Sequence, residues 1–256
     1  IILIFVYKDN MIISSKTNDK FKRLCKLRDP KYAKTENKCV IETAKVVSDA
    51  TSKLNIDSIY VQTSSIDKYK QLLQNVSCDI YYIDANLCRM VSDTATPSDI
   101  FAIVDIPRCE HASNRYLVLD GVQDPSNIGS IIRCAKAFGF DTIYAIDSAF
   151  AYSSKVIRSS MGYVFDVSII SMTREQFSEN RFENLYYADM SGKELYEIQS
   201  LPQKLGILLG SEGQGVSEMA KSKCVGAIRV PMTNSVESLN VSVACGIILS
   251  YINYKF

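Results

Sequence analysis

The chain has 256 residues, 29 Lys/Arg against 28 Asp/Glu for a net charge of +1, and a hydrophobic content of 47%. That composition suits one large globular domain or two modest ones and excludes the disordered and collagen-like classes. A near-neutral total charge names no partner.

The opening IILIFVY (residues 1–7) is apolar but too short to span a bilayer, and neither a basic stretch nor a cleavage site accompanies it. It reads as a strand at a sheet edge, or, if Met11 is the natural start, as part of an extension over 1–10. From Asn18 to Ser113 helical and strand periods alternate. NDKFKRLCKL (18–27) patterns as an amphipathic helix with a basic face, NKCVIE (37–42) as a strand and TAKVVSDATSKL (43–54) as a helix. DSIYVQ (57–62) reads as a strand, IDKYKQLLQN (66–75) as a helix, CDIYYI (78–83) as a strand, and DIFAIVDI (99–106) closes the series. PRCEHASN (107–114) then breaks every period with Pro and small polar residues, the mark of a linker between domains at 11–106 and 115–256.

The second part restarts the alternation. RYLVLD (115–120) is a buried strand, and IGSIIRCAKAF (128–138) a helix with Ile128, Ile131, Ile132, Ala135 and Phe138 on one face, ended by Gly139. DTIYAID (141–147) reads as a strand, SKVIRSSM (154–161) as a helix and YVFDVSII (163–170) as a strand. LYYADM (185–190), KLGILLG (204–210) and CVGAIRV (224–230) follow as strands separated by short helical segments, and SVESLNVSVACGIILSY (235–251) is mostly the apolar run of a buried helix. Repeated β-α-β units with apolar strands imply a parallel sheet covered on both faces.

Charge and cysteine usage narrow the chemistry. Residues 16–38 hold nine Lys/Arg against three acids, leaving 20 basic and 25 acidic residues elsewhere. Such a stretch, with Lys22, Arg23, Lys26 and Arg28 on one helix and its exit, is an electrostatic footprint for phosphate, and equally a solvated helix face. The eight cysteines contain no C-x-x-C pair and His111 is the only histidine. A zinc site therefore has little to work with, no metal is expected, and His-based nucleophile pairs are removed. Free cysteines in apolar stretches fit a reducing compartment.

Ligands of parallel sheets bind beyond the carboxyl ends of the strands. Three such loops, GVQDPSNIG (121–129), SEGQGVSE (211–218) and PMTNSVESLN (231–240), carry Gly, Asn, Ser, Asp or Glu and together outline a pocket. No G-x-G-x-x-G follows the first strand of this part and no G-x-x-x-x-G-K-[ST] occurs, which disfavours an ordinary dinucleotide or phosphate-loop enzyme.

DPSNIGSIIRCAKAFG (124–139), LLGSEGQGVS (208–217) and IRVPMTNSVESLNVSVACGIIL (228–249) resemble, in order and spacing, the three motifs of the SpoU (TrmH-type) RNA ribose 2′-O-methyltransferases of the SPOUT superfamily. VIRSSMGYVFDV (156–167) resembles the stretch between the first two. More loosely, KRLCKLRDPKYAKTENKCVIETAKVV and SDTATPSDIFAIV look like the L30e-like substrate-binding domain common in that family. Thr43 departs from it, standing where the family usually has Gly.

The resemblance implies an α/β fold with a SPOUT-type parallel sheet and a deep trefoil knot at the carboxyl end, preceded by the smaller L30e-like domain. It implies S-adenosylmethionine as cofactor, RNA as substrate with ribosomal RNA favoured over transfer RNA, and a homodimer in the cytoplasm or a ribosome-containing organelle. Arg133 is the catalytic arginine by resemblance, a clamp on phosphate and on a developing alkoxide rather than a base. Asn127, expected to cap its helix, organises the site, and Glu212 orients the arginine or the substrate. Ser238 and Asn240 share helix capping and contact with arginine and ribose, while Glu237 only favours a helix amino terminus. Backbone around Leu209, Gly210, Gly213, Ile228, Val230 and Pro231, with Ser238, is expected to hold the cofactor, and Leu239 to pack near its adenine. Two other readings stand beside this one: a knotted RNA-binding protein without catalysis, and an unrelated α/β nucleotide enzyme.

Overall fold

The computed structural model describes residues 11–108, 113–233 and 235–255 and divides into two compact units at Pro107/Arg108. The expected edge strand over 1–7, Cys109 and His111 lie outside the described residues.

The first unit runs β1 (Met11–Ile13), α1 (Asp19–Lys26), α2 (Pro30–Glu36), β2 (Lys38–Glu42), α3 (Ala44–Ala50), β3 (Ile56–Gln62), α4 (Lys70–Gln74), β4 (Asp79–Ile83), α5 (Ala85–Val91) and β5 (Ile100–Asp105). Its sheet has the order β1-β4-β3-β5-β2, with β5 antiparallel to β3 and β2 and the other pairs parallel. Asn18 starts α1 by accepting the N–H groups of Lys20 and Phe21, and the helix turns Phe21 and Leu24 inward. They pack with Ile13, Tyr60, Phe101 and Ile103. The helix expected over 66–75 is shorter: 3-10 turns Thr63–Ser65 and Asp67–Tyr69 precede α4, where Lys68 and Tyr69 both bond Asp99. α2 and α5 are unanticipated. Each has only seven residues, too few for a 3.6-residue period to stand out, although Asp29 and Asp84 cap them.

Thr43 sits at φ 80°, ψ 140°, a backbone region that belongs to glycine. Its N–H donates to Ser98 Oγ at 3.1 Å, and the adjoining Glu42 is buried and accepts from Ser92 Oγ at 2.9 Å. The turn thus keeps the shape a glycine would give it, at the cost of strain.

The second unit runs β6 (Arg115–Asp120), α6 (Pro125–Ala137), β7 (Thr142–Ile146), α7 (Ser154–Ser159), β8 (Ser168–Met172), α8 (Arg174–Glu179), β9 (Leu185–Glu194), β10 (Leu205–Gly210), α9 (Glu218–Lys221), β11 (Gly226–Arg229) and α10 (Val241–Lys255). All its strand pairs are parallel, in the order β11-β9-β10-β6-β7-β8. Tyr116, Val118, Ile146, Phe177, Leu185 and Leu208 form a core around it. Gly139 (φ 75°) lets the Phe140 N–H reach back to the Ala135 carbonyl at 2.9 Å and close α6.

Two expected elements change here. The strand expected over 163–170 begins only at Ser168, because Met161 (φ 54°) and Gly162 (φ 82°) reverse the chain into a 3-10 turn, Tyr163–Asp166. The apolar run from 235 becomes helix only at Val241. α10 buries Val241, Cys245, Ile248, Leu249 and Ile252 but leaves Val243, Ser250 and Tyr254 exposed. Among the described residues no helix is long and apolar enough to cross a membrane.

Candidate active site

β6 lies between β7 and β10, so successive strands depart from it in opposite directions, which opens a crevice at the carboxyl edge. The loops 121–124, 211–217 and 230–240 follow β6, β10 and β11 there.

Asp124, not Asn127, caps α6: its Oδ1 accepts the Ser126 N–H at 2.9 Å, with Pro125 preset at the first helical position. That N–H, then Lys155, holds the Asp124 carboxyl below the usual carboxylate range. Asn127 is therefore the third residue of the helix and its side chain is free for other work. Its Nδ2 donates to the Glu212 carboxylate, and its Oδ1 accepts from Asn240 Nδ2 at 3.0 Å. Asn240 Oδ1 in turn accepts the Ser242 N–H at 2.9 Å and the Ser242 hydroxyl at 2.7 Å, the bonds of a helix cap. One side chain thus caps α10 with its oxygen and reaches α6 with its nitrogen. Glu237 lies outside the helix, exposed.

Glu212 is exposed on a turn whose neck is closed by Ser211 and Gly215, which exchange N–H···O bonds of 3.1 and 2.9 Å. A Cβ on Gly210 would come within 2.1 Å of the Gly215 carbonyl carbon, so no side chain fits there. At Gly213, by contrast, a Cβ would meet nothing within 4 Å. The N–H groups of Glu212 and Gly213 make no hydrogen bond to a described residue.

Arg133 stands apart from this chain of bonds. It is exposed on α6, six residues beyond Asn127, about 9 Å along the axis and about two-thirds of a turn around it. Its guanidinium makes no hydrogen bond or ion pair with a described residue. Ser238 is exposed with no side-chain hydrogen bond to a described residue, and Leu239, Val230 and Pro231 are half-buried. Leu209 and Ile228 are buried in β10 and β11, where only their backbone can serve a ligand. Burial pushes up the thiols of Cys134 and Cys245, Arg133 offsetting only part of the rise in the first. Among the described residues no cluster of His, Cys, Asp and Glu could hold a metal ion.

The basic helix of the first unit sorts its four candidates. Lys22 and Lys26 are exposed, the latter 5.9 Å from the Tyr32 ring centroid. Arg23 instead grips Asp57 with bonds of 2.9 and 3.2 Å, and Arg28 pairs with Asp93 and the Val91 carbonyl. The two arginines spend their charge inside the unit, which a sequence count of basic residues could not reveal.

Sequence reasoning missed Asp120. It is 2% exposed at the end of β6, where Oδ2 accepts the Ser217 N–H at 2.8 Å. Its signal was a carboxylate that directly follows the apolar run Tyr116–Leu119.

Residues 114–250 match the SpoU rRNA Methylase family, and residues 18–102 match the MRM3-like substrate binding domain. A Bacillus subtilis relative, 23S rRNA (guanosine(2553)-2'-O)-methyltransferase RlmP, is 28% identical over 94% of this chain and 98% of its own length. The Neisseria meningitidis 23S rRNA (guanosine-2'-O-)-methyltransferase RlmB is 27% identical over 77% of this chain and 86% of its own. The AdoMet-bound rRNA methyltransferase of Sinorhizobium meliloti shares the fold with a TM-score of 0.83 at 21% identity, over 95% of this chain and 97% of that one.

Proposed function

The chain belongs to the SpoU rRNA methylase family, and on that premise we propose that it transfers a methyl group from S-adenosylmethionine to a ribose 2′-hydroxyl of RNA, with ribosomal RNA the favoured substrate. The observation that carries this reading is the Glu212–Asn127–Asn240 chain, which ties the three motif loops together at the carboxyl edge of the sheet. The two bacterial relatives named as 23S ribosomal RNA methyltransferases support ribosomal over transfer RNA.

The site suits the methyl donor. Open space at Gly213, backbone donors at Glu212 and Gly213 without a described partner, and the half-buried apolar Val230, Pro231 and Leu239 are what an adenosine needs. Leu209, Gly210, Gly213, Ile228, Val230, Pro231, Ser238 and Leu239 would hold it. When bound it supplies an activated sulfonium methyl group.

The chain's own residues then align and stabilise. The Arg133 guanidinium stays protonated, so it clamps the phosphate beside the target ribose and stabilises the alkoxide as it develops. Asn127 holds one oxygen of Glu212, leaving that carboxylate to orient Arg133 or the substrate. Lys22 and Lys26 contribute phosphate contacts from the first unit. The same reading includes an L30e-like domain over 11–106, a linker over 107–114, a methyltransferase domain over 115–256 with a deep trefoil knot, and a homodimer. The exposed Val243 and Tyr254 of α10 support the dimer. Its place is the cytoplasm or an organelle with ribosomes.

The test is to map ribose methylation in total RNA with and without the protein. Loss of a defined ribosomal position is expected. Cofactor binding by calorimetry without any methyl incorporation into RNA would instead mean a non-catalytic RNA-binding protein.

A further inference from the structure

We infer that Asp120 is a positioning residue of the methyl-transfer site, the second of two tethers that fix the glycine-rich turn carrying Glu212. A buried carboxylate is costly unless paired and hydrogen-bonded, so its partners show what it is for. Asp120 ends β6, directly opposite Gly210, the last residue of β10. Its Oδ2 accepts the Ser217 N–H at 2.8 Å, just past the turn 211–215. Its Oδ1 faces an Arg174 nitrogen at 3.2 Å, an ion pair not aligned as a hydrogen bond, and the same guanidinium donates from Nε to Asp147 at 3.1 Å. Arg174 opens α8, so the buried charge is balanced from the helix that follows β8.

Two links therefore join the segment 120–127 to the turn: Asp120 to Ser217 at its base, and Asn127 to Glu212 at its tip. A turn held only at the tip can still pivot about its neck; held at both places it cannot. Displacements of about 1 Å at a reacting centre cost on the order of 100-fold in rate. Asp120 acts through Glu212.

This inference rests on the methyltransferase reading, and the experiment keeps the two apart. Ser217 has φ −67°, a value proline shares, so Ser217→Pro deletes the N–H that Asp120 accepts without forcing that angle. Ser217→Ala, which removes only the α9 cap, sets its baseline. Asp120→Ala removes the tether from the other side. In each of Asp120→Ala and Ser217→Pro, kcat for transfer to RNA falls about tenfold or more, KM for RNA changes little, and amide exchange in 211–217 quickens. In a Glu212→Ala background the Asp120→Ala loss in kcat largely disappears, since the residue acts through Glu212. Losses that multiply in that background, or a lowered melting temperature with kcat and exchange in 211–217 unchanged, overturn the inference. If the wild-type protein transfers no methyl group, the functional reading fails, and exchange in 211–217 alone then decides whether Asp120 fixes the turn.

Discussion

Asn240 Nδ2 donates to Asn127 Oδ1 across 3.0 Å and 113 residues of sequence, bringing the cap of the last helix onto the first helix of its unit. Both amides are committed at both ends, so neither can be exchanged for a carboxylate without losing a donor. Asn127→Asp sets a second carboxylate against Glu212, whereas Asn127→Ala only leaves Glu212 loose. Methyl-transfer assays are expected to show the greater loss in Asn127→Asp. Asn240→Ala also forfeits the cap, about 1 kcal/mol of stability, visible in thermal unfolding.

Among the described residues the Arg133 side chain has no hydrogen-bond or ion-pair partner, so its removal should spare the fold. Arg133→Ala is expected to keep the unfolding midpoint and cofactor affinity while methyl transfer falls on the order of 100-fold. Arg133→Lys keeps charge but loses the planar fork and recovers little. Near-normal transfer by Arg133→Ala would make the arginine structural.

The basic helix separates binding from stability. Reversing Lys22 and Lys26 together is expected to weaken RNA binding and flatten its salt dependence by about one unit of slope per lost phosphate contact, with an unchanged melting curve. Arg23→Glu, facing Asp57, is expected to destabilise the first unit by on the order of 1–3 kcal/mol. Filter binding across a salt series, beside thermal melts, tells the two apart.

Acid should act on the same pair. Burial pushes the Asp57 carboxyl up, but Arg23 and then Lys38 outweigh it and hold the group below its ordinary value of 3.8. A depressed folded value stabilises above the unfolded value and is lost as pH falls through the folded one. Denaturant unfolding from pH 7 down to about pH 3 should therefore show a smaller acid-induced loss in Asp57→Asn than in the wild type, starting from a lower plateau.

Thr43 offers a change in the stabilising direction. A non-glycine residue at φ 80°, ψ 140° carries strain of about 1–3 kcal/mol, and the greater freedom of an unfolded glycine returns only about 1 of it. Thr43→Gly is expected to raise the melting temperature of the first unit; a lower one would show that the methyl and hydroxyl are packed to advantage.

Most of this architecture was legible because its strands are apolar blocks set between glycine and polar turns. Runs such as YLVLD (116–120) and the Gly139 stop announce themselves, and the loops that follow the strands concentrate the site. At the site the misreadings come from a competing cap close by or from a partner that lies far away in sequence. Asn127 looked like a cap because helix starts favour Asn, but Asp124 and Pro125 had already taken that role. Arg23 and Arg28 looked like surface charge until Asp57 and Asp93 were placed beside them. Asp120 drew no notice because Ser217, its backbone partner, is 97 residues away.

Those same separations bear on how the protein comes into being. Asn127 meets Glu212 across 85 residues and Asn240 across 113, at the start of α10. Contacts this distant close late, since each must first overcome the entropy of a long loop. The chain of bonds at the site is thus complete only once Asn240 has been made, so a growing chain that stops short of it has no assembled site.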